Sequence, residues 1–217
     1  MLKIQKLDFL IAFYVTSVVL TELMGAKTVP LFWAFGIPVS GTVTLLVLPF
    51  IYSVNDIIVE VYGKARAQSV VRSALFMVLY IFIFSLIATM LPADKRFGPT
   101  EGAYETIFGL SARFSAASLI AFAISEFSDV YIFAKMKEKL GKKNLWLRTN
   151  VSNFASEFLD TAIFMILAFW ALNLPALANL SFIAGIAIPY WLLRCCMSII
   201  ETPLVYLGVK WLGNKEK

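Results

Sequence analysis

The chain has 217 residues, of which 60% are hydrophobic and 15% are charged, and its net charge is +5. Soluble domains carry about 25% charged and 45–50% apolar residues, so this composition excludes an ordinary soluble domain and indicates one integral membrane domain over residues 1–217. Histidine is absent, which excludes His-dependent triads and most catalytic zinc sites. The adjacent Cys195 and Cys196 lack metal-ligand or redox spacing.

Six apolar segments of about 20 residues follow one another along the chain. This length crosses about 30 Å of hydrocarbon, and a backbone in lipid must satisfy its own hydrogen bonds, as a helix does. The sequence therefore predicts an all-α integral membrane protein with six transmembrane helices. These helices lie at about residues 8–26, 41–62, 69–91, 112–134, 151–172 and 180–206.

Two stretches do not fit plain spans. The short apolar stretch VPLFWAFGIPVSG (29–41) contains Pro30 and Pro38, and a re-entrant segment, an interfacial segment and a simple outer loop all remain open. The last apolar segment is longer than a span requires and contains Pro189 and Pro203. Proline in a helix interior removes a backbone hydrogen bond and usually kinks the helix. A bent helix lining a cavity and a long tilted helix both fit this segment.

Basic residues predict the orientation of the chain in the membrane. One side carries most of them, and the other carries only Lys27, Lys95, Arg96 and Arg113. Cytoplasmic loops carry an excess of Lys and Arg, so we expect both termini in the cytoplasm and a multi-pass protein of the inner (plasma) membrane. The residues on the basic side are Lys3, Lys6, Lys64, Arg66, Arg72, Lys135, Lys137, Lys139, Lys142, Lys143, Arg148, Lys210, Lys215 and Lys217.

An acidic motif occurs twice within the apolar segments. ISEFSDVYIF (124–133) returns as ASEFLDTAIF (155–164), so that Glu126 and Asp129 share one helix face and Glu157 and Asp160 share another. The two predicted helices are antiparallel neighbours, and each motif starts a similar number of residues from the cytoplasmic end. We therefore expect the two motifs to meet at one depth.

Several further polar residues accompany the repeat. One charged side chain near mid-membrane costs about 2.5–3.5 kcal/mol, and such residues usually mark a pathway or a ligand site. The alternative is that they hold helices together by interhelical hydrogen bonds. Glu201 lies in the last helix with them. The candidate substrate-binding residues are Asn55, Asp56, Glu126, Asp129, Asn153, Glu157, Asp160 and Arg194.

Carboxylates limit the kinds of ligand that this cluster can bind. An ionised carboxylate only accepts hydrogen bonds and can accept two from adjacent donors. A guanine-like ring presents such a pair in its N1–H and exocyclic amine, and a cationic amine would suit the acids equally well. Arg194 could be a counter-ion for the acids, a ligand contact, or both.

Four separate stretches resemble one known family. They are NDIIVEVYGKARA (55–67), IFGLSARFSAASLIAFAISEFSD (107–129), LWLRTNVSNFASEFLDTAIF (145–164), and Arg194 followed by ETPLVY (201–206). These stretches, in this order, resemble motifs of the YhhQ family of queuosine precursor transporters, also classed as vitamin-uptake-type transporters. The chain length and the six predicted helices agree with that family as well. The resemblance covers most of the chain.

The resemblance implies uptake of the 7-cyano and 7-aminomethyl 7-deazaguanines used in tRNA modification. It marks Asp56, Asp129 and Asp160 as motif positions, and Glu60, Tyr62 and Arg148 as a gating or structural motif. The family commonly has Gln three residues before each Asp of the repeat, where this chain has Glu126 and Glu157. Because Gln donates and an ionised Glu does not, a more cationic or donor-rich ligand, or a proton-coupled site, would also fit.

Three functional classes fit these residues to different degrees. A secondary transporter of a nucleobase-like molecule agrees best, since the sequence has no P-loop. The alternative is the substrate-binding subunit of an energy-coupling-factor transporter, which needs a separate ATPase. A membrane enzyme holding Mg²⁺ would need a nucleophile beside spaced acids, and none is evident. We thus expect no enzyme activity, cofactor, metal or nucleic-acid partner; the lipid bilayer surrounds the protein, and a homodimer is left open.

Overall fold

The computed structural model describes residues 5–25, 27–34, 37–109, 112–141 and 144–213. In this part of the chain, helices form a bundle and one short hairpin connects the first two of them. The elements are α1 (Lys6–Met24), β1 (Thr28–Ala34), β2 (Ile37–Thr42), α2 (Leu48–Tyr62), α3 (Lys64–Met90), α4 (Glu101–Phe108), α5 (Ala112–Leu140), α6 (Leu145–Phe169) and α7 (Ala176–Gly213).

Each of the six predicted helices is present, but the second is shorter than predicted. It begins at Leu48 rather than near residue 41, with Pro49 in its first turn, where a missing N–H costs nothing. At 1.5 Å per residue its 15 residues are about 22 Å long. Among the described helices, α1, α3, α5, α6 and α7 are long and apolar enough to cross a membrane. The short helix α4 was not predicted.

Strands β1 and β2 pair as a two-stranded antiparallel sheet, in the stretch that the sequence left open between a re-entrant segment, an interfacial segment and a loop. The register shifts between Pro30 and Phe32, so that residue 31 has no partner opposite it. Proline cannot donate to a ladder and is tolerated at strand edges and bulges, and both strands of this small sheet are edges. Gly36, between the two strands, lies outside the described residues.

The last helix is a single continuous element of 38 residues. At 1.5 Å per residue it is about 57 Å long, far more than the ~30 Å of a hydrocarbon core. Pro189 and Pro203 both lie inside it, where each leaves one carbonyl of the preceding turn without its backbone donor. The helix packs against α2 and α6, which places its middle turns beside the polar residues of both.

The bundle is apolar outside as well as inside. Its core contains fully buried side chains such as Val18, Ile58 and Val71. Large apolar side chains also cover the outer surface, with Phe76 71% exposed and Met90 84% exposed. Soluble monomers rarely expose such extensive apolar surface, whereas lipid tails solvate it. The surface therefore agrees with an integral membrane protein.

Two glycines help to set the position of α2 relative to α3 and α7. Gly63 joins α2 to α3 with φ 83° and ψ 171°, a conformation that only glycine adopts readily. Gly208 of α7 lies so near Ile57 of α2 that an added Cβ would stand 2.1 Å from the isoleucine Cδ1. Since α2 carries Asn55 and Asp56, these glycines help to position two of the eight candidate residues.

The two ends of the described chain lie together. Lys6, at the start of α1, donates a hydrogen bond to the carbonyl of Trp211 near the end of α7. The same ammonium group stands 4.6 Å from the centre of the Trp211 ring. The start of α1 and the end of α7 therefore lie on the same side of the bundle.

Candidate functional site

The two copies of the acidic repeat meet across antiparallel α5 and α6. Ser125, just before Glu126, donates to Asp160 of the other copy at 3.5 Å. Ser156, just before Glu157, donates to Asp129 at 3.5 Å. Each serine thus bonds the aspartate of the opposite copy in a reciprocal arrangement. This confirms that the repeats meet at one level, and repeat interfaces near mid-membrane are where many transporters bind substrate.

The second copy of the repeat faces a buried arginine. Arg194 of α7 is 4% exposed and its Nη1 lies 2.6 Å from Oδ2 of Asp160. It also donates to Thr161 at 3.1 Å and to the hydroxyl of Tyr52. The rings of Tyr52 and Tyr190 each stand 5.8 Å from the guanidinium carbon, within cation–π range. The charge of Arg194 is therefore held by one carboxylate, two hydroxyls and two rings.

A small cleft opens beside this arginine. It is a narrow gap without room for a water molecule, and it lies between α2, α6, α7 and the 3₁₀ turn that precedes α2. Its wall combines apolar residues at the N-terminal end of α2 with three charged side chains from the middle of α6 and α7. The lining residues are Leu45, Leu48, Pro49, Tyr52, Glu157, Arg194, Met197 and Glu201.

Three polar atoms of the cleft residues have no hydrogen-bond partner. They are Oε2 of Glu157, Oε2 of Glu201 and Nε of Arg194, and all three residues are under 5% exposed. Asn153 donates to the other oxygen of Glu201 at 2.7 Å and to Ser198 at 2.8 Å, which fixes the Glu201 carboxylate. Buried polar groups are nearly always paired, so two acceptors and one donor here await a partner.

The first copy of the repeat has a different environment. Tyr14 of α1 donates to Oε2 of Glu126. The amide of Asn55 in α2 donates to Oδ2 of Asp129 at 3.1 Å and, more distantly, to Oε2 of Glu126 at 3.4 Å. Asp56, the next residue of α2, is 0% exposed and neither of its oxygens has a hydrogen-bond partner. These five side chains do not line the cleft.

The predicted gating or structural motif lies near the C-terminal end of α2. Arg148 is 0% exposed and its Nη1 lies 2.7 Å from Oε2 of Glu60, which Lys137 approaches at 3.3 Å. The Arg148 guanidinium also stands over the ring of Phe133 at 5.2 Å. Helices α2, α5 and α6 are thereby joined by one carboxylate. Tyr62, the last residue of α2, is 37% exposed.

The eight predicted substrate-binding residues therefore fall into two groups. Glu157 and Arg194 line the cleft, with Asp160 and Asn153 holding the cleft residues in place. The other four, two from α2 and two from α5, do not line the cleft and are joined by hydrogen bonds to one another and to Tyr14 of α1. This second group is Asn55, Asp56, Glu126 and Asp129.

Sequence reasoning missed the tyrosines of the site. Tyr52 precedes Asn55 by three residues and Asp56 by four, so helical spacing alone would have placed it on their face. Tyr14 has only Ser17 as a polar neighbour at such spacing in α1, and no charged residue at that spacing marks it. Glu201 was noted beside Arg194 but was not among the candidates, although their separation of seven positions amounts to two helical turns.

A polytopic helical bundle with charged residues buried at a repeat interface is the architecture of a membrane transporter. The family model described as "Putative vitamin uptake transporter" matches residues 42–208. The chain belongs to this family, and it is a multi-pass transporter of the inner (plasma) membrane rather than an enzyme. The match includes every site residue discussed above except Tyr14.

Curated relatives carry more specific names. The chain is 30% identical over 203 residues to the "Probable queuosine precursor transporter" of Bacillus subtilis (strain 168), covering 93% of this chain and 83% of the relative. It is 25% identical over 122 residues to the "Queuosine precursor transporter" of Escherichia coli (strain K12), covering 56% and 52%. The Haemophilus influenzae relative, "Probable queuosine precursor transporter", is 26% identical over 140 residues, covering 64% and 55%. No solved structure matches the chain.

Proposed function

We propose that this protein is a secondary transporter that imports a queuosine precursor, a 7-deazaguanine base with a guanine-like edge. The observation that carries the proposal is the cleft between α2, α6 and α7, where Glu157, Arg194 and Glu201 present unpartnered polar atoms inside an apolar bundle. The names of the curated relatives point to the same class of cargo.

The free atoms of the cleft suit the edge of a guanine-like base. Such an edge combines two donors, N1–H and the exocyclic amine, with one carbonyl acceptor. Oε2 of Glu157 and Oε2 of Glu201 can accept from the donors, and Nε of Arg194 can donate to the carbonyl. Tyr52, on the same wall, offers a ring for stacking. A base lacking the exocyclic amine would leave one buried carboxylate oxygen unpaired, which costs about 1–3 kcal/mol.

The cleft has to widen to receive this cargo. As described it has no room for a water molecule, whereas ligand pockets usually enclose ~300–1,000 Å³. We infer that the bundle as described is closed around the site. Substrate binding then requires α7 to move away from α2, and the close contact between Gly208 and Ile57 lies on the same helix pair.

The topology proposed for this transporter has six crossings with both termini in the cytoplasm. The contact between Lys6 and Trp211 supports an even number of crossings, because it brings the two ends of the bundle together. Five helices are long enough to span, and α2 with its preceding 3₁₀ turn would supply the sixth. The excess of Lys and Arg on the side of the termini supports their cytoplasmic placement.

Ligand-induced thermal stabilisation of the detergent-purified protein tests the function. The panel is guanine, the 7-cyano and 7-aminomethyl 7-deazaguanines, queuine and unrelated vitamins. A ligand present at 100 times its Kd stabilises the folded state by about 2.7 kcal/mol, so a bound deazaguanine should raise the melting temperature by several degrees. Glu157→Gln should abolish the shift, and Glu105→Gln, an exposed carboxylate of α4, should keep it.

Two results would redirect the proposal. A shift with an unrelated vitamin and with no purine would replace the cargo while keeping the transporter. Co-purification of ATPase subunits would favour the substrate-binding subunit of an energy-coupling-factor transporter, whose uptake requires ATP. Uptake into liposomes that contain only this protein distinguishes a secondary transporter from an energy-coupling-factor subunit, since a secondary transporter needs no ATPase.

A further inference from the structure

The two copies of the acidic repeat differ in the charges around them. In the described part of the chain, the ion pairs join Lys137 and Arg148 to Glu60 and Arg194 to Asp160. No ion pair there reaches the first copy, Glu126 and Asp129. The repeat is therefore symmetric in sequence and asymmetric in charge.

Three carboxylates that form no ion pair lie together with two neutral partners. We call Tyr14, Asn55, Asp56, Glu126 and Asp129 the α1–α2–α5 cluster. All five side chains are at most 2% exposed. Tyr14 and Asn55 supply donors to Glu126 and Asp129, while the Asp56 carboxylate lies near both acids and near the Thr149 hydroxyl, with no hydrogen bond formed.

Charged groups from the neighbouring helices do not neutralise the α1–α2–α5 cluster. Asp160 of α6 and Arg194 of α7 face Glu126, but they are paired with each other. Arg148 of α6 faces Asp56 while it is bonded to Glu60. Glu201 of α7 adds a further carboxylate facing Asp56 and Asp129. Three ionised carboxylates at this depth would repel one another strongly in a medium of low dielectric constant.

A bound proton explains this arrangement better than a metal ion. In the described residues no group of three or more His, Cys, Asp and Glu side chains is arranged to hold a metal. Oxygens of Glu126 and Asp129 already accept from Tyr14 and Asn55, which leaves few lone pairs converging on one point. A proton needs only one carboxylate oxygen and an acceptor opposite it, and the free oxygens of Asp56 provide that acceptor.

We propose that the α1–α2–α5 cluster is a proton-binding site, distinct from the substrate cleft, and that its proton is the coupling ion of transport. The coupling half of this proposal rests on the transport function proposed above, and the proton site itself does not. In this reading the second copy of the repeat, neutralised by Arg194, serves the substrate, and the first copy serves the proton. The reciprocal bonds Ser125–Asp160 and Ser156–Asp129 join the two sites.

The pH dependence of melting tests the proton site without any substrate. If the folded state holds a proton in the cluster that the unfolded chain releases, the unfolded state binds fewer protons and stability falls as the pH rises. The effect begins above ~4.3, where a free Glu ionises, and one proton changes the unfolding constant by about tenfold per pH unit.

The variants for this melting experiment are Glu126→Gln, Asp129→Asn and their combination. The melting temperature of the wild type should fall between about pH 5 and pH 8. The decline should be clearly shallower in at least one single variant and in the double variant, because an amide holds no titrating proton. Glu105→Gln, in the exposed α4, should keep the wild-type slope. Equal slopes in the wild type and all three cluster variants would overturn the proton site.

Transport into proteoliposomes tests the coupling, with labelled 7-aminomethyl-7-deazaguanine and 7-cyano-7-deazaguanine as probes. An inward proton gradient of one pH unit should drive about tenfold accumulation for one coupled proton, and a protonophore should abolish it. Glu126→Gln mimics the form of the cluster in which Glu126 is protonated, so the loaded carrier can still exchange internal for external probe. The variant should therefore lose gradient-driven accumulation and retain exchange.

The outcomes separate failure of the inference from failure of the proposed function. Wild-type uptake that ignores the proton gradient, or that follows a sodium gradient instead, would overturn proton coupling while leaving the transporter intact. Gradient-driven accumulation in Glu126→Gln at the wild-type level would overturn the assignment to this cluster. A melting slope that depends on the cluster, together with no binding or uptake of any deazaguanine, would support the proton site and refute the cargo.

Discussion

Arg194 and Asp160 form a 2.6 Å ion pair beside the cleft, with the arginine side chain 5% exposed and the aspartate side chain 25% exposed. The pair therefore lies at a boundary, where the carboxylate reaches solvent and the guanidinium does not. Arg194 also keeps Nε free toward the cleft region. A group with a fixed charge and an unused donor is suited to holding a ligand.

Replacing Arg194 by Gln should weaken ligand binding. A hydrogen bond to a charged group contributes about 1.5–3 kcal/mol, so the Kd for the preferred deazaguanine should rise about 10- to 100-fold. Isothermal titration of purified protein measures this change. Cys196→Ser, an exposed neighbour on the same helix, is the matched control and should bind normally. Unchanged affinity in a folded Arg194→Gln protein would show that the arginine only neutralises Asp160.

Replacing Glu60 by Gln should strongly destabilise the fold. Arg148 has 0% side-chain exposure and depends on Glu60 for its ion pair, so the variant leaves a buried cation without a counter-charge, at a cost of about 3–5 kcal/mol. Lys137 contacts the same carboxylate, but its side chain is 29% exposed, and Lys137→Ala should cost less than ~1 kcal/mol. Denaturant unfolding compares the two variants. A larger loss in Lys137→Ala would contradict the central position of Arg148.

Replacing Gly208 by Ala should create a steric clash between α7 and α2. The new Cβ would lie 2.1 Å from Cδ1 and 2.8 Å from Cγ1 of Ile57, and overpacking of this kind costs about 1–3 kcal/mol. In an Ile57→Ala background the same change should cost almost nothing, because both clashing atoms are gone. A double-mutant cycle on thermal stability measures the coupling. Additive effects would mean that the two helices separate easily at this point.

Replacing Gly63 by Ala should strain the junction between α2 and α3. Its φ of 83° with ψ of 171° lies in a region costing other residues about 1–3 kcal/mol. Gly185→Ala is the matched control, since Gly185 lies inside α7 with open space around its Cα. That change should be neutral or slightly stabilising. Equal loss of thermal stability in both variants would argue against strain at Gly63.

Most of the helical framework could be predicted from sequence because the bilayer enforces it. A run of about 20 apolar residues has few alternatives to a helix in lipid, and α1, α3, α5, α6 and α7 follow the hydropathy closely. The exceptions are local. Hydropathy cannot distinguish a short apolar hairpin from a helix, so the β1–β2 hairpin was missed and α2 was extended to residue 41. Pro49 marks the true start of α2.

The acids of the site could be predicted, and their division between two environments could not. Glu126, Asp129, Glu157 and Asp160 stand out because charges are rare in apolar helices. Which pair faces Arg194 depends on where α7 packs relative to α5 and α6, and a single sequence holds no record of that. Tyr14 was missed for a related reason. A tyrosine in a largely apolar helix cannot be told from a core residue by sequence, and only the structure shows that its hydroxyl donates to Glu126.

The hairpin has a consequence for the kinetics of the protein. Thr42, the last residue of β2, hydrogen-bonds at 3.3 Å to the hydroxyl of Tyr190, whose ring lies against the Arg194 guanidinium. One tyrosine is therefore shared by the loop before α2 and the charge beside the cleft. If cargo binds at Arg194 as proposed, a shift of the guanidinium would also act on the hairpin through Tyr190. Sequence changes in the hairpin should consequently alter how quickly cargo arrives and departs more than how tightly it is held.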